Sequence, residues 1–429
     1  MDTYNVLLLG NGGREHAIAW KLIQSEKLGA FYIAPGNPGT AQYGINVSLS
    51  LSDFNAILSF IREKSIELVI VGPEAPLVDG IADFLKKHDV LVFGPSQKAA
   101  MLEGSKEFAK EFMTKYNIPT ADYSAFSSFD FDDALKFIQL KDTYPIVLKA
   151  DGLAAGKGVF ICNSEEEVKE CLLSIKKDKT LSEAASRLVV EEYLEGEEAS
   201  VFVISDGHTS HVLHNAQDHK RVGDDDTGLN TGGMGSYSPA PLVTEQILDQ
   251  VKSEIINPTI TGMSLEESEY VGILYVGLMI TKDGPKVIEY NCRFGDPECQ
   301  VILPSLQNDL LELLVATVEQ RLDEKTIYLD NKYRCCVVLA SDGYPLEYEK
   351  GKEIKGIDQV DEDAIVFHAG TADKNGTIVS NGGRVLGVVG NGNTLKDAIN
   401  HAYKNVELIS FENKYFRKDI GRKGLSRLG

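Results

Sequence analysis

Asn5-Val6-Leu7-Leu8-Leu9-Gly10-Asn11-Gly12-Gly13-Arg14-Glu15-His16 reads as a short apolar strand, a glycine turn and the opening of a helix. The helix is expected from Glu15 to Leu22. β-rich runs recur at Phe31 to Ile33, Glu67 to Val71 and Val90 to Phe93, the last two closed by Gly72-Pro73 and Gly94-Pro95. Alternation of this kind builds a parallel sheet covered by helices, with ligand loops at the strand C-termini. The first domain is expected to close at residue 101.

The turn from Gly10 to His16 lets backbone amides at a helix N-terminus face an anion. A dinucleotide fingerprint would place Gly where Glu15 stands. It would also want an acidic residue after the next strand, which here ends Ile33-Ala34-Pro35-Gly36-Asn37. A nicotinamide dinucleotide is therefore disfavoured, and with it an oxidoreductase. A lone phosphate, as on a ribose 5-phosphate, stays compatible, and so does a turn that binds nothing.

Pro145-Ile146-Val147-Leu148-Lys149 reads as a strand ending in lysine, followed by Ala150-Asp151-Gly152-Leu153-Ala154-Ala155-Gly156-Lys157-Gly158-Val159. Small residues let this backbone approach a polyphosphate, and Lys149 and Lys157 add point charges. A Walker A loop would run from Gly-Lys-Ser or Gly-Lys-Thr into a helix. Here Gly158 and Val159 follow Lys157, which predicts a hairpin acting as a lid over ATP. Downstream, Arg187 to Glu198 is a strand entering an acidic turn. Beside a lid, the backbone of Glu191, Glu192, Tyr193 and Leu194 can meet an adenine edge and Glu198 a ribose; alone, the stretch reads as a solvated edge.

Val287-Ile288-Glu289-Tyr290-Asn291-Cys292-Arg293-Phe294-Gly295-Asp296-Pro297-Glu298 is the most informative stretch chemically. A strand period of two puts Glu289, Asn291 and Arg293 on one face. Glu and Asn supply the hard oxygens that Mg²⁺ shares with phosphates, and Arg293 can clamp a phosphoryl or carboxylate oxygen. A polar face turned to solvent is the plainer alternative. Gln217 to Ser236, containing Asp218-His219-Lys220-Arg221 and Asn230-Thr231-Gly232-Gly233-Met234, reads as a long polar loop able to orient a substrate.

With 429 residues and 43% hydrophobic content, the chain can bury several cores, and three or four domains are expected. A charged stretch from Asp323 to Asn331 precedes a buried strand at Arg334 to Ala340 and marks the last boundary. The net charge of −21 argues against nucleic-acid or anionic-membrane surfaces, so an anionic ligand must be held by a few local cations. The six cysteines form no C-x-x-C pair, and no basic leader or spanning segment is seen at the start, which together predict a cytoplasmic protein with reduced thiols.

The ordered motifs Asn11 to Ala17, Ala34 to Asn37, Val71-Gly72-Pro73-Glu74-Ala75-Pro76-Leu77, Lys149 to Gly158, Gln217 to Arg221 and Asn291 to Glu298 resemble those of the phosphoribosylamine-glycine ligase family of ATP-grasp enzymes. The likeness runs from Leu7 to about Gly421 and includes Phe367-His368-Ala369-Gly370-Thr371 and Asn381-Gly382-Gly383-Arg384-Val385-Leu386. It implies an α/β and α+β multidomain fold. Residues 1–101 would form a Rossmann-like parallel sheet, 102–328 the ATP-grasp lobes with a mobile lid at about 122–193, and 329–429 a small α+β domain.

The same resemblance implies that ATP phosphorylates glycine and that 5-phosphoribosylamine attacks the glycyl phosphate, with Mg²⁺ or Mn²⁺ as cofactor. ATP contacts would fall on Lys106, Lys149, Gly152, Gly156, Lys157, Gly158, Glu191, Glu192, Tyr193, Leu194 and Glu198. Metal would sit on Glu289 and Asn291. The substrates would meet Gly12, Gly13, Glu15, Asp218, His219, Lys220, Arg221, Arg293 and Gly295, with Arg293, Lys149 and Lys157 catalytic by stabilising charge. A monomer is implied. One departure is Leu229 where the family carries proline, which should loosen that loop; the end at Gly429, short of the modules fused in some members, predicts a single activity. A related ligase acting on another small carboxylate, and a non-catalytic relative, are the remaining alternatives.

Overall fold

The computed structural model describes residues 3–127, 131–152, 158–177 and 187–428. The opening stretch folds as its pattern dictates. β1 (Tyr4–Gly10) lies at the centre of a five-stranded sheet with β2 (Leu28–Pro35), β3 (Ile45–Asn46), β4 (Leu68–Val71) and β5 (Leu91–Phe93), in the order β3-β2-β1-β4-β5. Every pairing is parallel. Val6 to Leu9 are fully buried because helices cover both faces, which explains an uninterrupted apolar run instead of an alternating one. The helices are α1 (Gly13–Leu22), α2 (Phe54–Lys64), α3 (Glu74–Val78), α4 (Ile81–Lys86) and α5 (Gln97–Gly104). α1 starts two residues earlier than its sequence signal, since Gly12 serves as its N-cap.

α6 (Lys106–Lys115) is capped by the Ser105 side chain and leads into a separate four-stranded sheet. Its strands are β6 (Tyr123–Ser127), β7 (Ile146–Ala150), β8 (Val159–Cys162) and β9 (Arg187–Glu192), in the order β6-β9-β7-β8. α7 (Phe131–Lys141) and α8 (Glu165–Lys177) pack on it around Ile138, Leu148, Leu172 and Val190, a core of its own. β7 and β8 pair antiparallel, as the expected hairpin requires. Its tip, with Gly156 and Lys157, lies outside the described residues.

Among the described residues the largest sheet has nine strands. β10 (Glu197–Asp206), β11 (Ser210–Asp218), β14 (Gly235–Ser238), β15 (Val271–Thr281) and β16 (Gly284–Asn291) continue through β17 (Tyr333–Ser341) to β18 (Ile365–His368) and β21 (Arg384–Gly392), while β22 (Lys414–Tyr415) pairs with β17. The β14–β17 pairing carries one sheet across the charged stretch at Asp323 to Asn331.

The expected long loop after Asp218 is instead a hairpin, β12 (Arg221–Gly223) against β13 (Thr227–Asn230). Sequence pattern missed it because its order comes from distant partners. Arg417, fully buried, donates to the Arg221 carbonyl at 3.0 Å and to Asp226 at 2.9 Å, and Tyr415 Oη donates to the Val222 carbonyl at 2.8 Å. Leu229, where the family carries proline, simply sits half-exposed on β13.

Candidate active site

β16 carries the candidate metal residues at its C-terminal end. Its register against β15 slips so that Gly277 faces Glu289 while Leu278 faces Val287. The bulge at Ile288 leaves that residue's carbonyl free to accept from Lys149 Nζ at 3.0 Å. Lys149 also lies 2.9 Å from Glu191 on β9, so this lysine links two strands of the four-stranded lobe to β16.

Lys220 Nζ sits 3.0 Å from Glu289 and 2.9 Å from Glu198. Burial opposes its charge, but Glu198 and Glu289 together raise its pKa well above the ordinary value. Lys220, helped by Lys149 and Lys106, in turn holds the Glu289 carboxyl down to about 2. Lys106 opens α6, donating Nζ to the Gly152 carbonyl at 2.8 Å while Asp151 Oδ1 accepts its backbone N–H at 2.5 Å. Three lysines from separate elements therefore converge on an ionised Glu289.

Arg293 does not share the strand face, contrary to the expectation from a period of two. β16 ends at Asn291, and the guanidinium is placed by helices instead. Nε lies 3.0 Å from Glu74 at the start of α3, and one terminal nitrogen lies 2.8 Å from Glu103 in the last turn of α5. Glu103 also accepts the Cys292 N–H at 2.7 Å. Burial opposes the Arg293 charge, yet Glu103 and Glu74 raise its pKa; burial likewise opposes the Glu74 anion, which Arg293 and Arg14 hold down to about 2.

The first glycine loop faces the turn after β16. Arg14 donates its backbone N–H to Asp296 at 3.3 Å, and a Cβ on Gly13 would lie 2.5 Å from Gln300 Nε2. Gln300 Nε2 donates to Asp296 at 2.8 Å, leaving Gln300 Oε1 buried with no partner among the described residues. Glu15, expected to meet substrate, is used internally. Its carboxylate accepts from the Gly12 N–H at 2.6 Å and from Arg14 Nε at 2.7 Å, and it is 2% exposed. Gly72 is required there, since a Cβ would stand 2.2 Å from Glu15 Oε1. That packing explains why the third fingerprint position is not glycine.

Of Asp218-His219-Lys220-Arg221, only Asp218 and Lys220 face the lysine-carboxylate cluster, lining a small cavity with Glu198 and Tyr275. His219 is buried, with Nε2 accepting the Gly421 N–H at 3.3 Å and Nδ1 3.2 Å from the Gly235 carbonyl, so both ring nitrogens are spent. Arg221 turns back to the Gly228 carbonyl at 2.9 Å. Burial raises the Asp218 and Glu298 carboxyls, and for Asp218 the adjacent Glu298 adds to it. Gly295 makes room for Glu298, since its Cβ would lie 2.4 Å from Glu298 Oε2. Arg384 of β21 reaches in from the C-terminal strands, donating to the Gly232 and Asp296 carbonyls at 2.6 and 2.5 Å.

On the lobe side, the Ala150 N–H donates to the Gly158 carbonyl at 2.8 Å, closing the base of the hairpin. Glu192 lies 3.3 Å from Lys286, Tyr193 is exposed and Leu194 buried. Glu289 and Asn291 offer one carboxylate and one amide oxygen, which suit a hard cation. Among the described residues no group of three or more His, Cys, Asp and Glu could hold a metal alone. A cation here would need phosphate and water oxygens to complete its shell, the usual habit of Mg²⁺.

Sequence reasoning overlooked Glu103, Lys110 and the structural use of Glu191. Glu103 and Lys110 are charged helix residues with no local signal. Glu74 and Arg384 did carry one, since both lie in the motifs quoted for the resemblance.

Comparison with known proteins matches this arrangement along its length. Residues 4–103 match the N domain of phosphoribosylglycinamide synthetase, 104–299 its ATP-grasp (A) domain and 334–423 its C domain. The phosphoribosylamine–glycine ligase of Vibrio vulnificus is 48% identical over 427 residues, covering 99% of each chain. That of Agrobacterium fabrum is 47% identical over 426 residues, covering 98% of this chain and 99% of the relative. The crystal structure of the phosphoribosylamine–glycine ligase from Thermotoga maritima superposes with a TM-score of 0.82 at 36% identity, covering 97% of this chain and 100% of that one. A biotin carboxylase domain from Hydrogenobacter thermophilus, at 16% identity and a TM-score of 0.74, covers 97% of this chain and 92% of its own and shares the fold. The three-part match and the full-length relatives establish that the chain belongs to the phosphoribosylglycinamide synthetase family.

Proposed function

We propose that this chain joins glycine to 5-phosphoribosylamine at the expense of ATP, forming glycinamide ribonucleotide, ADP and phosphate in purine biosynthesis. The observation that carries this reading is the convergence of Lys106, Lys149 and Lys220 on Glu289, with Arg293 four residues farther along the chain. A carboxylate is a poor electrophile, and oxide a poor leaving group. Transfer of a phosphoryl group to glycine supplies a leaving group and splits one hard step into two.

In this reading Lys106 and Lys149 hold the ATP phosphates, and the backbone from Glu191 to Leu194 meets the base. Glu289 and Asn291 hold Mg²⁺, with Mn²⁺ as a substitute; when bound, the ion screens charge on the transferring phosphoryl group. Arg293, fixed between Glu74 and Glu103, presents a rigid guanidinium to anionic oxygens. Gly12, Gly13 and Gly295, with Asp218 and Lys220, surround the amine and glycine. Burial raises the carboxyls of Asp218 and Glu298 on that side of the site.

The division at residues 101 and 328, the lid role of 122–193, the monomeric state and the cytoplasmic location belong to the same proposal. No helix among the described residues is long and apolar enough to cross a membrane. The test is ADP release from Mg²⁺-ATP and glycine, with and without freshly made phosphoribosylamine. Release that needs both substrates supports the reading. Release with a different small carboxylate would keep the ATP chemistry and discard the substrate assignment.

A further inference from the structure

The Glu191 carboxylate is shared by two lysines. Lys149 Nζ lies 2.9 Å from Oε1 and Lys110 Nζ 3.0 Å from Oε2, with the Glu191 side chain 3% and Lys110 2% exposed. Lys110 comes from α6, ahead of the four-stranded lobe, whereas Glu191 and Lys149 stand on its strands β9 and β7. Lys110 is further held by Thr120 Oγ1 at 2.8 Å and the Ala121 carbonyl at 3.1 Å, and Thr120 donates to the Val287 carbonyl of β16 at 2.7 Å.

With two ammonium groups on one carboxylate, the trio carries a net single positive charge, and Lys149 keeps an unneutralised field. Without Lys110, the whole Glu191 charge falls on Lys149, the pair becomes neutral, and its pull on a polyphosphate drops. Inside a protein such a change is screened far less than at the surface.

We infer that Lys110 is a positioning residue for nucleotide binding, sharing Glu191 so that the pair of Lys149 and Glu191 is not neutral and Lys149 still attracts phosphate oxygens. The inference rests on Lys149 as an ATP contact. Lys110 itself touches Glu191, Thr120 and Ala121, so it acts through Lys149.

The test is steady-state kinetics on the full chain with Lys110→Met, Lys110→Gln, Lys149→Met and Lys110→Met/Glu191→Gln. Lys110→Gln keeps a donor for Thr120 and serves should the methionine variant fail to fold. Either Lys110 variant should raise KM for ATP about tenfold, in the range of coupling between charges in one network, with KM for glycine and kcat changed less than about twofold. The double variant restores the net charge by removing both charged side chains and keeps the Glu191 backbone that meets the base, so KM for ATP should fall well below that of the Lys110 variants, to within about threefold of the parent. A KM that stays high in the double variant overturns the inference, because a scaffold role would not be rescued by losing Glu191. An unchanged KM in both Lys110 variants overturns it as well, provided Lys149→Met weakens ATP. No effect of Lys149→Met on ATP overturns the reading of Lys149 itself.

Discussion

Lys220 Nζ stands 3.0 Å from Glu289 Oε1, an ion pair joining the end of β11 to the end of β16 across two intervening strands. Glu289 is thereby kept anionic at any pH near neutrality, as a ligand for a hard cation must be. Glu289→Gln keeps the shape and removes the charge. Turnover should fall by at least about a hundredfold even at saturating Mg²⁺, and affinity for Mn²⁺ in the presence of ADP should fall in a paramagnetic relaxation titration. Parent-like turnover would remove Glu289 from the proposed metal site.

Arg293→Lys tests whether geometry or charge matters. A guanidinium can meet Glu74 and Glu103 at once, whereas an ammonium is a single point and loses that double hold. Glycine-dependent ADP release should drop by about a hundredfold while KM for ATP changes little. An equal loss in the two substrates' KM values would mean that the substitution disturbs the whole site.

Gly13→Leu tests the first glycine loop. A side chain at Gly13 would meet Gln300 Nε2, so Gln300 must give way and its hydrogen bond to Asp296 is disturbed. KM for phosphoribosylamine should rise about tenfold or more, with ATP binding spared. A selective loss of ATP affinity would place that loop at the nucleotide instead.

The parallel sheet, the β7–β8 hairpin and the carboxylate-bearing strand were legible because each has a local period: an apolar run closed by glycine and proline, or a lysine followed by small residues. What escaped was held together by distance. The hairpin from Arg221 to Asn230 depends on Arg417 and Tyr415, nearly two hundred residues away, and Arg293 takes its direction from Glu74 and Glu103. Glu15 and His219 looked like substrate ligands because they sit in motifs. Their polar atoms are instead spent on Gly12, Arg14, Gly235 and Gly421, a purpose that only tertiary packing exposes.

Acid stability offers a separate check on the contact between α1 and β18. His16 Nδ1 accepts the His368 backbone N–H at 2.7 Å, and burial followed by the neighbouring His368 lowers the His16 pKa to about 3. In an unfolded chain the same imidazole has its ordinary value of 6.5. Between those limits the unfolded state binds the extra proton, so this histidine's contribution to stability is lost as pH falls from about 6.5 toward 3. The buried carboxyls of Asp218, Glu103 and Glu298 are raised and work in the opposite sense, so the total slope alone would not identify the histidine. A difference does. His16→Asn keeps an acceptor in the side chain but does not titrate. Between pH 4.5 and 6, urea unfolding of the parent should lose stability more steeply than the variant, by up to about 1.4 kcal/mol per pH unit, the limit for one proton. Parallel slopes would mean that His16 is not held neutral by its burial against His368.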